Sequence, residues 1–113
     1  MTRMWTGIMP IEMCDQHLLG EHKELHQEIG TLLNHPHGQA ITEGHVREGQ
    51  VILSEIERRH QIVVREMLSR GMNHDSPMDI PEEITENELW GINNANKKEN
   101  REDLFDRCEE CGL

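Results

Sequence analysis

The run CDQHLLGEHKELHQ, residues 14–27, constrains the fold more than any other stretch, because its apolar residues recur at helical spacing and continue to Leu33. On a helical wheel Leu18, Leu25, Ile29 and Leu32 form one stripe, while His17, Glu21, Glu24 and Glu28 share a second face. Pro10 suits a first helical turn, and Asn34, Pro36 and Gly38 stop the pattern, so a helix is expected from Pro10 to about Leu33. Lys23 and Gln27 occupy the sector beside Glu24, where an acid, a cation and an amide could converge on one ligand. Spacing alone reads the acidic face most simply as a solvated surface. His22 and His26 have the i,i+4 spacing of a chelating pair. They fall at the edge of the apolar stripe, where partly buried, hydrogen-bonded histidines are the simpler reading.

A second helix is expected from Ser54, with Glu57 completing a capping box, to Gly71 as its closing glycine. Ile56, Val63, Met67 and Leu68 would form its buried face, with His60 a satisfied core residue in the same stripe. Arg58, Arg59, Arg65 and Arg70 make the densest basic cluster of the chain, and Glu55, Glu57 and Glu66 are interleaved with them. Internal i,i+4 pairing and phosphate binding therefore both stand as readings of these arginines. A third helix is expected from about Asn100 to Glu110, with Leu104 and Phe105 inward and Arg107 outward. Residues 34–53 read as loop with one short helical turn, and residues 85–97 as a polar loop anchored by Trp90. With Trp5, Trp90 and Phe105 as the only aromatics, the core must rest on Leu, Ile, Val and Met, which favours helices. The expected architecture is all-α: one compact three-helix domain over residues 1–113, with long connecting loops.

The formal charge of −11 is unusual for a phosphate-binding protein, and it is unevenly spread. Residues 1–78 carry 11 acidic and 7 basic side chains, net −4, whereas residues 79–113 carry 11 and 4, net −7. A nucleic-acid surface is therefore expected on the first part, with the acidic segment 85–113 projecting away. No apolar run approaches a membrane span and the start lacks a signal-peptide core, so a soluble, cytoplasmic protein without membrane contact is expected.

Cys14, Cys108 and Cys111 are an odd set for a disulfide framework. Cys108 and Cys111 form a CxxC, and Cys14 with His17 forms a CxxH at helical spacing. Together they would complete a Cys₃His set for a structural zinc, tying the C-terminal segment to the first helix.

Three stretches in order, the opening MTR, DQHLLGEHKELHQ and RRHQIVVREMLSRGMNHDSP, resemble the pyrimidine-dimer DNA glycosylase family that includes the bacteriophage endonuclease V enzymes. The likeness is to its short branch, with RMW near the start, HLLGEH in the first helix and a CxxC near the end. It implies a compact all-α repair enzyme that flips nucleotides from damaged double-stranded DNA, cuts the glycosidic bond of a pyrimidine dimer and then nicks the abasic strand. It carries the nucleophile, an N-terminal amine left by removal of Met1, onto Thr2, and the assisting carboxylate onto Glu24. No cofactor is required for such amine chemistry. Arg3 and His17 match positions around the strand, and Lys23 and Gln27 stand where long members carry phosphate-gripping arginines. Arg58 and Arg65 are the second-helix candidates for DNA contact. The family's basic, aromatic C-terminal stretch is replaced here by the acidic tail. The alternative reading is a re-purposed, non-repair metal-binding domain of the same fold.

Overall fold

Leu18, Leu25 and Ile29 are all buried, and the helix that carries them, α1 (Asp15–Asn34), is the spine on which the other elements pack. The computed structural model describes residues 3–74 and 76–112. Among them no strand occurs, and α2 (Gly38–Arg47), α3 (Ile56–Ser69), the single turn α4 (Glu82–Thr85) and α5 (Lys97–Arg107) follow α1. Short 3₁₀ turns at Pro10–Glu12 and Leu53–Glu55 precede α1 and α3.

The first helix begins later than Pro10. Met13 and Cys14 are extended, and the carbonyls of Pro10 and Met13 accept hydrogen bonds from the Arg70 guanidinium at 3.1 and 2.7 Å. A side chain from the end of α3 thus takes carbonyls that a continuous helix would have used itself. Residues 34–53, expected as loop, instead contain α2. Gly38 and Gly44 each cost about 1 kcal/mol of helix propensity against alanine, which hid the element in the sequence. Packing restores it: Val46 is fully buried, and a Cβ on Gly38 would lie 2.1 Å from the Thr31 carbonyl oxygen, so only glycine lets α2 approach α1 this closely.

No side-chain cap closes the start of α3, and Ser54 is exposed within the preceding turn. The predicted end holds. Gly71 has φ +81°, and the N–H groups of Gly71 and Met72 donate back to Leu68 and Met67 at 3.0 Å each, the paired closure a C′ glycine permits. Ile56, His60, Val63 and Met67 face inward as expected, but Leu68 is 57% exposed and Arg59 is buried in its stead. Arg59 lies three residues after Ile56 and four before Val63, so helical spacing puts it on the buried face.

Asn96 caps α5 by accepting the Glu99 N–H at 3.0 Å, which starts that helix earlier than the apolar pattern suggested. Leu104 is buried and Phe105 packs at the edge of the same cluster. In the 85–97 connector Leu89 is buried and Trp90 packs more shallowly beside it. The apolar interior divides along α1 into a cluster around Leu25 and Ile29, with Val46, Leu53 and Ile56, and one around Leu18, with Trp5, Ile8, Val63 and Leu104. The radius of gyration, 13.8 Å, is that of a compact globule of this length. No helix among the described residues is long and apolar enough to cross a membrane.

The acidic face of α1 is not a solvated surface. Glu21 and Glu28 are each 1% exposed, because partners from α3 and α2 close over them. His45 lies 2.9 Å from Glu28, and Arg59 binds Glu21. Burial pushes both carboxyls above the ordinary range while those partners pull them back.

Candidate active site

The Glu21–Arg59 pair also seats the N-terminal segment. Arg59 donates to both Glu21 carboxylate oxygens, at 2.5 and 2.9 Å, and to the Ile8 carbonyl at 2.7 Å. From the other side α5 holds the same segment: Asn100 donates to Thr6 Oγ1 at 2.7 Å, and Arg101 donates to the Gly7 carbonyl at 3.0 Å and grips both Glu12 oxygens. Between these supports Met4, Trp5 and Ile8 are buried. A segment this near a chain end would ordinarily fray. Here its path across α1 is fixed.

That path brings the Arg3 backbone N–H to the Glu24 carboxylate, at 3.1 Å. Around this contact lies a recess of about 360 Å³ lined by Arg3, Trp5, Gln16, His17, Gly20, Glu21, Glu24 and Arg107. A Cβ at Gly20 would meet no atom within 4 Å, so the helix surface beside Glu24 is left bare. The Arg3 guanidinium lies over the Trp5 ring at 4.8 Å and pairs with Asp103, and Arg107 shares both partners at 5.5 and 2.7 Å. Hydrogen bonding to Arg107 first, and then to Arg3, holds the Asp103 carboxyl below its usual range. The recess thus carries arginines on its wall and a carboxylate on its floor.

Of the residues singled out in the sequence, Arg3, His17 and Glu24 are brought together here. Thr2 lies outside the described residues. Lys23 and Gln27 are exposed and border a different opening, with His22, His26 and Ser76, so they do not converge with Glu24. Arg58 and Arg65 are exposed and make no ion pair among the described residues. Arg59 and Arg70, from the same basic cluster, are spent on Glu21 and on Glu66 and Asp15. Arg107 and Trp5 were not legible as site residues, since nothing local in the sequence links them. The acidic segment does not project wholly away, because its α5 forms one wall of the recess.

His17 faces a second group. Its Nδ1 lies 3.1 Å from Cys14 Sγ and 3.7 Å from Cys111 Sγ, and Cys14 and Cys108 have their sulfurs 3.8 Å apart. The four ligand atoms all lie within 4.8 Å of one another, an arrangement that could hold a metal ion. The extended backbone at Cys14 donates its N–H to Cys111 Sγ at 3.3 Å, and the Gly112 N–H donates to the Glu12 carbonyl at 2.6 Å. Burial pushes the Cys111 thiol up to about 12. Burial also acts to raise Cys108, but hydrogen bonds from Cys111 and from the Glu110 and Cys111 backbone outweigh it and leave that thiol below its usual range.

Against curated proteins and against solved structures the chain has no match. Against family models, residues 2–80 match the family described as pyrimidine dimer DNA glycosylase. The matched span includes the N-terminal segment, α1, α2 and α3, and it stops short of α5 and the CxxC. Since the match covers well over half of the chain and contains Arg3, His17 and Glu24, the chain belongs to the pyrimidine dimer DNA glycosylase family.

Proposed function

We propose that the protein is a DNA repair glycosylase with abasic-site lyase activity, acting on pyrimidine dimers in double-stranded DNA through the α-amine of Thr2. The observation that carries this reading is the hydrogen bond from the Arg3 N–H to Glu24 at the floor of the recess. Three covalent bonds separate the Thr2 nitrogen from that of Arg3, a reach of under about 4 Å. An amine on that tether cannot stray far from the Glu24 carboxylate. With Met1 removed, the uncharged amine bonds to C1′ of a flipped nucleotide while the bond to the base breaks, the base leaving with the electron pair. Opening of the sugar ring gives an imine, and loss of a C2′ proton then expels the 3′ phosphate. Glu24 takes the role of accepting and returning those protons, a reading supported by its hydrogen bond to the Arg3 N–H. Lys23, Gln27, Arg58 and Arg65, exposed on the surface, contact phosphates, while Arg3 and His17 sit at the recess itself.

Borohydride reduction tests the covalent step, because it converts an imine into a stable amine. Protein lacking Met1 should become fixed to an abasic duplex. Protein extended by an uncleavable residue before Thr2 should not, and full-yield trapping of that extended form would assign the nucleophile to a lysine.

The cysteine cluster has its own reading, a structural zinc held by Cys14, His17, Cys108 and Cys111. Zinc–sulfur bonds of about 2.3 Å in a tetrahedron hold sulfurs about 3.8 Å apart. Cys14 and Cys108 already stand at 3.8 Å. The ion would pin α5, and with it the recess wall, to the start of α1. Protein purified without a histidine tag should lose one zinc per chain on Cys111→Ser and expose residues 97–112 to protease. Equal zinc contents in the two proteins would return these thiols to ordinary packing.

A further inference from the structure

Two residues either side of Glu24, and so about 200° around α1, His22 and His26 face away from the recess. There they meet His60 from the middle of α3 and His74 from the connector after it. The sequence suggested hydrogen-bonded histidines on α1 and a satisfied core histidine on α3. The structure gathers all four into one group: His22 and His60 each have ring centroids 4.8 to 5.2 Å from those of the other three, and His26 Nε2 lies 3.0 Å from His60 Nε2. We infer that His22, His26, His60 and His74 are the four ligands of a second metal site, for a divalent transition-metal ion of the zinc, nickel or cobalt kind.

The unmet hydrogen-bonding capacity points to a ligand. His22 Nε2 and His74 Nε2 are buried with no hydrogen-bond partner. A buried polar atom without a partner is destabilising, so two such nitrogens on neighbouring rings call for something that binds them. One ring nitrogen from each of the four residues lies within 4.8 Å of the others, and among the described residues no carboxylate joins the group. A tetrahedral ion with metal–nitrogen bonds of about 2.0–2.1 Å needs nitrogens about 3.4 Å apart, a small inward closing of this set.

Ligand type selects the ion. Four neutral nitrogens suit the later first-row divalent metals and offer none of the oxygens that magnesium or calcium require. Neutral ligands leave the ion's charge uncompensated, unlike the thiolates of the cysteine cluster. The opening beside it is bordered by Lys23, Gln27 and Ser76. Mechanically the ion would join α1, α3 and the segment after Gly71 at one point.

Metal counting decides the matter, with Co²⁺ as the probe and protein that carries no histidine tag. Native mass spectrometry of cobalt-loaded wild type should show one ion more per chain than either His74→Ala or His22→Gln. The lost ion should take with it visible d–d absorption and no thiolate charge-transfer band in the near ultraviolet. His74 sits outside the helices, so its replacement leaves α1 and α3 intact even if His22→Gln folds poorly. The comparison is a difference between variants and stands whatever the cysteine cluster holds. Equal counts in wild type and His74→Ala would overturn the site, as would a lost ion whose spectrum carries the sulfur band.

Discussion

Glu24→Gln is expected to fold as the wild type does and to lose glycosylase turnover by about 10²–10⁴-fold, the range of a positioned acid–base group. The amide is close in shape to the carboxylate, and its oxygen can still accept the Arg3 N–H that Glu24 accepts at 3.1 Å. The N-terminal segment should therefore keep its path, and the change isolates proton transfer from positioning. Single-turnover cleavage of a dimer-containing duplex gives the rate, and a thermal melt by circular dichroism verifies the fold. A variant that cleaves at the wild-type rate would reduce Glu24 to an anchor for the terminus. A variant that loses stability along with rate would mark its charge as structural.

The largest effect on stability should come from Arg59→Met. The pair it breaks is buried on both sides, with side-chain exposures of 8% and 0%, and the change strands the Glu21 carboxylate and the Ile8 carbonyl. Loss of one partner of a buried pair costs about 3–5 kcal/mol, which in a domain of this size lowers the melting temperature by roughly 15 °C or more. The double variant Glu21→Leu/Arg59→Met should recover much of that loss, since it removes the stranded charge as well. The pH dependence has a definite sign. Burial already raises the Glu21 carboxyl, and without Arg59 its folded pKa rises further above the unfolded value. A raised folded pKa means stability that is present at low pH and lost as pH climbs through it. Arg59→Met should therefore close part of its gap to the wild type in mild acid, as Glu21 takes up a proton. Denaturant titrations at neutral pH and at about pH 5 measure this, and a single variant within 1 kcal/mol of the wild type at both would contradict the argument.

What the sequence made legible follows the range of the interactions involved. The stripe of Leu18, Leu25 and Ile29, the turn at Gly71 and the CxxH and CxxC pairs are patterns within a few residues, and each appears as expected. Glu21 and Glu28 misled because the partners that bury them stand 38 and 17 residues away, and a helical wheel sees only one helix. α2 was missed for the opposite reason: its glycines weaken the local signal, and tight packing of Gly38 on Thr31 supplies what propensity lacks. Arg107 entered the recess through docking of α5, which no spacing rule foretells.

The ties that complete the recess also order its assembly in time. Arg3 meets Asp103 across 100 residues, Thr6 meets Asn100 across 94 and Cys14 meets Cys111 across 97, whereas the α1–α3 pair from Glu21 to Arg59 spans 38. Closing the longest loops costs the most chain entropy, so they form after the helices beneath them have packed. A chain emerging from the ribosome therefore builds the floor of the site first. Its wall waits for residues 97–112, and until they are made the segment from Arg3 to Gly7 has only half its seat.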